Sequence, residues 1–94
     1  LPNDYALYQN YPNPFNPITK IHYNLPDVVK VKIDIYDIGG RKVRSLLNQL
    51  QEPGFKSIQW NASNDLGEKV SSGMYFYRIE TQDFKQTKKM ILLK

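Results

Sequence analysis

The residues Val-Lys-Val-Lys-Ile-Asp-Ile-Tyr-Asp at positions 29–37 alternate between apolar and polar side chains. Because successive side chains of a β-strand point to opposite faces, this period of two predicts a half-buried strand. The following Ile-Gly-Gly-Arg at positions 38–41 supplies the positive-φ positions of a tight turn, and the chain returns through residues 42–47. The stretch therefore predicts a β-hairpin.

The same alternation occurs on both sides of this hairpin. Residues 18–25 alternate and end at a Pro-Asp turn, and residues 54–60 alternate with Trp60 and the aliphatic part of Lys56 on the inner face. A helix over residues 44–51 is the competing interpretation, because its leucines have helical spacing. It would be short and would end at a proline, so a strand is preferred.

Two segments near the C-terminus are apolar on both faces. Residues 74–79, Met-Tyr-Phe-Tyr-Arg-Ile, predict either a central strand covered on both sides or a face used by a partner. Residues 85–94 predict a last strand ending in Met-Ile-Leu-Leu. Seven or so short strands with turn signals about every 8–12 residues predict an all-β fold, a small antiparallel sandwich of the immunoglobulin or fibronectin type III kind.

A segment rich in Pro, Asn and Tyr precedes these strands. Its three prolines between residues 11 and 17 fix φ and remove ladder donors, so the segment cannot be a central strand. We expect a kinked edge with Leu7 and Phe15 as inward anchors, and a cis bond at Tyr11-Pro12 or Asn13-Pro14. The expected organisation is one domain over residues 1–94, made of a lead-in (1–17) and a sandwich (18–94).

Composition limits the function. The chain has 94 residues, 40% hydrophobic and 23% charged, which suits one small soluble domain with little room for a substrate cavity. The absence of cysteine excludes disulfides, thiolate zinc sites and a cysteine nucleophile. No apolar run approaches the ~20 residues of a membrane span.

The polar residues do not form a catalytic or ligand-binding pattern. The single histidine, His22, has no second ligand at a suitable spacing, and the aspartates fall on strand exteriors or in turns: Asp27, Asp34, Asp37 and Asp65. We expect no catalytic residue, metal or cofactor. The net charge is only +4, and its basic residues are spread along strand exteriors, which argues against a nucleic-acid partner.

Tyrosine is the one over-represented aromatic, with seven copies. A planar row of Tyr5, Tyr8, Tyr11 and Tyr36 would suit sugar rings, which gives an alternative function: a carbohydrate-binding accessory module of a secreted glycoside hydrolase. The competing interpretation, that these rings pack against the proline segment and the sandwich edge, is preferred.

Several motifs occur together in a characteristic order. They are Tyr-Pro-Asn-Pro-Phe-Asn-Pro (11–17), Thr-Lys-Ile-His-Tyr-Asn-Leu-Pro (19–26), Ile-Tyr-Asp-Ile-Gly-Gly-Arg-Lys-Val (35–43), the strand at 54–60, Ser-Gly-Met-Tyr-Phe-Tyr-Arg-Ile (72–79) and Lys-Lys-Met-Ile-Leu-Leu-Lys (88–94). Over nearly its whole length the chain resembles the C-terminal sorting domain of the type IX (Por) secretion system of Bacteroidota-type bacteria. It is also similar to the Ig-like domain of flagellar hook-capping proteins, which leaves an assembly module as a further alternative.

The resemblance to sorting domains implies a non-catalytic address at the C-terminus of a larger secreted protein. The cargo would precede Leu1, pass through the periplasm and reach the outer-membrane cell surface. The implied partners are the translocon, its shuttle proteins and a sortase-like peptidase that removes the domain.

The residues implied to be recognised lie on the last strand: Lys88, Lys89, Met90, Ile91, Leu92, Leu93 and Lys94. Those implied to hold the motif or scaffold are Pro12, Asn13, Pro14, Gly40, Arg41, Gly73 and Tyr75. A last strand that is apolar on both faces, with a free end and an array of lysines, would suit recognition at its edge. Dimerisation through that strand is left open. Arg41 has two candidate partners, Asp37 across the turn or a carboxylate of another protein.

Overall fold

All the alternating segments form strands. The computed structural model describes residues 1–93. The strands are β1 (Ala6–Leu7), β2 (Thr19–Leu25), β3 (Val29–Tyr36), β4 (Lys42–Gln51), β5 (Gly54–Trp60), β6 (Gly73–Glu80) and β7 (Lys85–Leu92). They form a three-stranded sheet in the order β1-β2-β5 and a four-stranded sheet in the order β4-β3-β6-β7, both antiparallel. The predicted all-β sandwich is confirmed.

The hairpin of β3 and β4 is also confirmed, and β4 runs as a strand to Gln51. The alternative helix over residues 44–51 does not form, because this segment pairs with β3 along the whole length of β3, with two register shifts. The tight turn uses only one positive φ, at Gly40 (+84°), whereas two glycines were expected to supply such positions. The Asp37 carboxylate organises the rest of the turn by accepting hydrogen bonds from the amides of Gly39 and Arg41.

The core lies between the inner faces of the two sheets. Trp60 is fully buried, and its ring packs against Phe15 and Tyr75 at centroid distances of 5.8 and 5.5 Å. Its indole N–H donates to the carbonyl of Ser63 at 2.9 Å, so the one polar atom of the ring is satisfied. Alternating apolar residues of β2, β3, β6 and β7 complete the same cluster.

The lead-in crosses from the edge of one sheet to the edge of the other. Tyr11 pairs with Lys20 at the start of β2, and four residues later Phe15 forms a parallel bridge with Leu92 of β7. Leu7 and Phe15 are buried, as predicted for inward anchors. The two candidate cis bonds are both cis, and Asn16-Pro17 is a third.

Asp34 departs from its predicted environment. It points to the outer face of β3, as expected, but it is buried rather than exposed. Ser45 and Arg78 lie opposite it on the two neighbouring strands, and the Lys42 ammonium lies 3.8 Å from its carboxylate. The outer face of the four-stranded sheet is therefore covered by long side chains at this point.

Candidate recognition site on the last strand

The last strand, β7, lies at the edge of the four-stranded sheet. It pairs with β6 over its full length, from Lys85 opposite Glu80 to Leu92 opposite Gly73. β6 is thus a central strand between β3 and β7. This was one of the two interpretations of its apolar sequence, the other being a face used by a partner. Its outer face is only partly covered, because Phe76 and Arg78 are half-buried and Met74 is exposed.

The predicted recognition segment divides into two sets of side chains. Met90 and Leu92 point into the core and are buried, with Lys88 half-buried on the same face. The alternate residues Lys89, Ile91 and Leu93 are exposed. Lys94 lies outside the described residues. While the domain is folded, the second set is therefore accessible to a partner and Lys88 is partly accessible, whereas Met90 and Leu92 are not.

The outer edge of β7 is covered over residues 89–93, which restricts where the expected edge recognition could occur. The Gln9 amide donates to the carbonyl of Lys89 at 2.8 Å, and the Asn13 side-chain oxygen accepts from the amide of Ile91 at 3.0 Å. Phe15 adds two main-chain bonds, donating to the carbonyl of Ile91 (3.0 Å) and accepting from the amide of Leu93 (2.8 Å). The kinked lead-in thus covers this half of the edge, first with two side-chain bonds and then with two main-chain bonds.

The first half of β7 keeps an open edge. Hydrogen bonds from the lead-in reach the backbone of residues 89–93, and within residues 1–93 none reaches that of 85–88. Lys85 and Lys89 stand at the two ends of this open stretch, and both are exposed. Lysines at an exposed edge oppose uncontrolled strand pairing, so the accessible stretch is short and flanked by positive charge.

The motif residues of the lead-in have structural roles. The carbonyl of Pro12 accepts hydrogen bonds from the Thr19 hydroxyl at 2.8 Å and from the side-chain amide of Asn10 at 3.2 Å. Asn13 bonds β7 as described, and Pro14 lies exposed between it and the buried Phe15. These residues fix the course of the lead-in between the two sheets.

The scaffold residues of the sandwich also have structural roles. Gly73 begins β6 with φ of +143°, and the ring of Tyr75 packs on Trp60 while its hydroxyl donates to the carbonyl of Ser71 at 2.6 Å. Arg41 contacts one of its two candidate partners, since its Nε lies 3.2 Å from the Asp37 carboxylate. The pKa of Asp37 is lowered, chiefly by the hydrogen bond from the Arg41 amide.

The four tyrosines do not form one planar row. Tyr36 belongs to β3 of the four-stranded sheet, whereas the backbones of Tyr8 and Tyr11 pair with β2 of the other sheet. Tyr5 stacks on Phe84, with ring centroids 5.3 Å apart. The arrangement expected for a sugar-binding platform is therefore absent among these residues.

Nothing in the described part of the chain adds a metal site: residues 1–93 contain no group of three His, Cys, Asp or Glu side chains placed to hold an ion. His22 lies exposed on the outer face of β2. Over the same residues there is no helix with the length and apolar character needed to cross a bilayer.

Sequence comparison identifies the family. The profile of the family described as secretion system C-terminal sorting domain matches residues 9–93. The chain belongs to this family. The profile begins within the lead-in and includes β7, so the sorting domain of this family contains both the last strand and the segment that covers it. No curated protein matches the sequence significantly.

Two solved structures resemble this sorting domain. Dimeric latent PorU from Porphyromonas gingivalis has a TM-score of 0.76 and 23% identity, over 96% of this chain and 9% of that chain. PorZ from the same organism, an essential surface component of its type-IX secretion system, has a TM-score of 0.61 and 19% identity, over 98% of this chain and 12% of that one. The likeness shows the fold, and the sorting domain spans about a tenth of each protein.

The resemblance inferred from the motifs is thereby confirmed, and the sorting domain marks a secreted or cell-surface protein of the type IX pathway. Sequence reasoning missed the contacts made by Gln9, Asn10 and Tyr77. Asn10 is buried. Its side-chain amide donates to the Thr19 hydroxyl, and its backbone amide donates to the Tyr77 hydroxyl. The available signal was the polar pair Gln9-Asn10 just before the prolines, because a buried kinked segment must find side-chain partners for its backbone.

Proposed function

We propose that the chain is a non-catalytic sorting and anchoring signal, which directs a cargo protein joined before Leu1 through the periplasm and the type IX translocon to the cell surface. The observation that carries this proposal is the family match over residues 9–93. After delivery, a sortase-like peptidase separates the domain from its cargo. Shuttle proteins of the same system are the other proposed partners.

The geometry of β7 supports a specific form of recognition. Its exposed side chains at residues 89, 91 and 93 alternate with buried ones, and the open backbone edge at 85–88 adjoins them. Strand addition at an open edge supplies affinity through main-chain bonds and specificity through alternate side chains. We therefore assign recognition to Lys89, Ile91 and Leu93, and a core role to Met90 and Leu92.

The test is a fusion of a periplasmic reporter to residues 1–94 in a type IX-competent cell. Deleting residues 88–94 would also remove two core side chains, so substitutions at exposed positions are the sharper tool. The variant is Lys89→Thr/Ile91→Thr/Leu93→Thr, which keeps strand-forming residues. A matched control, Lys20→Thr/Leu50→Thr/Leu66→Thr, removes one lysine and two exposed leucines elsewhere.

Surface delivery of the reporter is expected for the unchanged chain and for the control, with retention for the last-strand variant. Delivery is measured by protease accessibility on intact cells, and circular dichroism checks that both variants fold. Failure of the unchanged chain to deliver the reporter contradicts the sorting function. Equal delivery by both triple variants contradicts only the assignment of the recognised side chains.

A further inference from the structure

The outer face of the four-stranded sheet, which we call the basic face, brings together residues that are far apart in the sequence. The pairing registers align them in rows across the strands β4, β3, β6 and β7. The rows are Lys42-Tyr36-Phe76-Lys89, Ser45-Asp34-Arg78-Thr87 and Asn48-Lys32-Glu80-Lys85, with Lys30 opposite Leu50 beyond one end and Met74 opposite Ile91 beyond the other.

This face carries a large share of the charge of the protein. Six of the 13 basic residues lie on it, namely Lys30, Lys32, Lys42, Arg78, Lys85 and Lys89, against two carboxylates. The net charge of this face is therefore +4, which equals the formal net charge of the whole chain. The outer face of the three-stranded sheet offers, on β2 and β5, one lysine and one histidine among polar and aromatic residues.

Both carboxylates of the basic face lie within salt-bridge distance of basic residues on the same face. Asp34 lies 3.8 Å from Lys42, and Glu80 lies 3.7 Å from Lys85 and 4.0 Å from Arg78. Lys30 and Lys32 have no carboxylate within salt-bridge distance anywhere in residues 1–93, and the same holds for Lys89. The unpaired cations are therefore available to an external anionic group.

An apolar patch lies among these cations. Tyr36 and Phe76 face each other on adjacent strands, where opposed side chains are close enough to touch, and both are half-buried. Met74 and Ile91 adjoin them and are 37% and 40% exposed. Aromatic and methionine side chains in the centre with charged residues around them are the composition of a protein interface. The backbone frame of roughly 14 by 20 Å is smaller than a stable interface needs, which favours transient binding.

We propose that the basic face is a docking surface for an acidic protein partner, which is attracted by the lysines and contacts the Tyr36–Phe76 pair. This surface shares Lys89 and Ile91 with the proposed recognition strand and extends across β3 and β6. It rests on the proposed sorting function only for the setting in which the partner is met. A membrane is disfavoured, because the four most exposed apolar side chains lie off the basic face: Leu1 (87%), Leu66 (83%), Tyr11 (78%) and Ile38 (77%). On the face itself, Leu50 (69%) is isolated beside Lys30, and the apolar centre is flat.

The binding test uses the 94-residue chain and a soluble Glu-Tyr copolymer, which combines negative charge with aromatic anchors. NMR titration should shift amides of β3, β6 and β7 around the apolar patch, and calorimetry should show affinity falling about tenfold between about 0.05 and about 0.5 M salt. Parallel titrations use phosphatidylglycerol vesicles, polygalacturonate and polyuridylate. Tighter binding to any of these three than to the copolymer overturns the choice of an acidic protein.

Two matched pairs of variants locate the site. Lys30→Glu/Lys32→Glu should weaken copolymer binding about tenfold or more, and the control Lys20→Glu/Lys69→Glu, with the same charge change, less than about twofold. Phe76→Thr should weaken copolymer binding about threefold or more. Its control, Phe55→Thr on the outer face of the other sheet, should weaken binding less than about twofold.

Absence of copolymer binding, or equal losses in a variant and its control, overturns the docking proposal. Such a result leaves reporter delivery to the surface untouched, because that assay does not depend on the copolymer. Conversely, failed delivery by the unchanged chain contradicts the sorting function and leaves the measured binding to the basic face standing. The two proposals therefore fail separately.

Discussion

The Tyr77 hydroxyl links the lead-in to the core through hydrogen bonds. Removing this hydroxyl is the most direct test of what these bonds contribute to stability. The hydroxyl donates to the carbonyl of Tyr8 at 2.7 Å and accepts from the amide of Asn10 at 2.9 Å, and the tyrosine is fully buried. Tyr77→Phe deletes both bonds and leaves a buried amide without a partner. The free energy of unfolding should fall by about 2–3 kcal/mol, and Tm by about 10 °C or more.

The pH dependence of this effect has a definite sign. Burial raises the pKa of Tyr77 to about 12, above its ordinary value near 10. A raised pKa in the folded state gives stability that is complete below pH 10 and is lost as the pH rises towards 12, by about 3 kcal/mol in all. Burial also raises the pKa of Tyr23, so Tyr77→Phe should remove only part of the alkaline loss.

Urea unfolding at pH 7 and near pH 11 measures both effects, with Tyr11→Phe as the control because Tyr11 is 78% exposed. The stability difference between wild type and Tyr77→Phe should be largest at pH 7 and smaller near pH 11. The reason is that ionisation of Tyr77 in the unfolded state lowers the stability of the wild type alone. The reasoning is refuted if Tyr77→Phe is as stable as Tyr11→Phe at pH 7, or if the difference grows with pH.

Three further predictions concern the turn, the last strand and its cover. Gly40→Ala should destabilise by about 1 kcal/mol because of its positive φ, whereas Gly39→Ala should change stability by less than about 0.5 kcal/mol; equal losses in chemical denaturation would contradict a single left-handed position. Met90→Ala should cost about 2–5 kcal/mol and Ile91→Ala less than about 1 kcal/mol in the same assay, and the reverse order would contradict the inward direction of Met90. Asn13→Ala should lower hydrogen-exchange protection of the Ile91 amide about tenfold, and unchanged protection would show that the side-chain bond does not hold this edge.

The sequence predicts the parts of this fold that depend on local patterns. Period-two alternation is visible within each strand, and turn residues between strands define the hairpin at Gly40. Contacts between distant segments have no such signal: Asn13 and Ile91 are 78 residues apart, and nothing near either residue predicts their bond. The lysines appeared dispersed for the same reason, because only the pairing of β3 with β6 and of β6 with β7 places them on one face.

The cover on β7 limits how the sorting domain can be recognised. Strand addition over residues 89–93 would have to break the bonds from Gln9, Asn13 and Phe15 and withdraw the Phe15 ring from the core, where it packs against Trp60. Burying a phenylalanine side chain contributes about 1.5–3 kcal/mol, to which the lost hydrogen bonds would add. A partner that uses the open edge at 85–88 and the exposed side chains beyond it avoids this cost. The proposed recognition of the folded domain therefore requires no release of the lead-in. The lead-in also covers the apolar end of β7, which opposes its pairing with other chains.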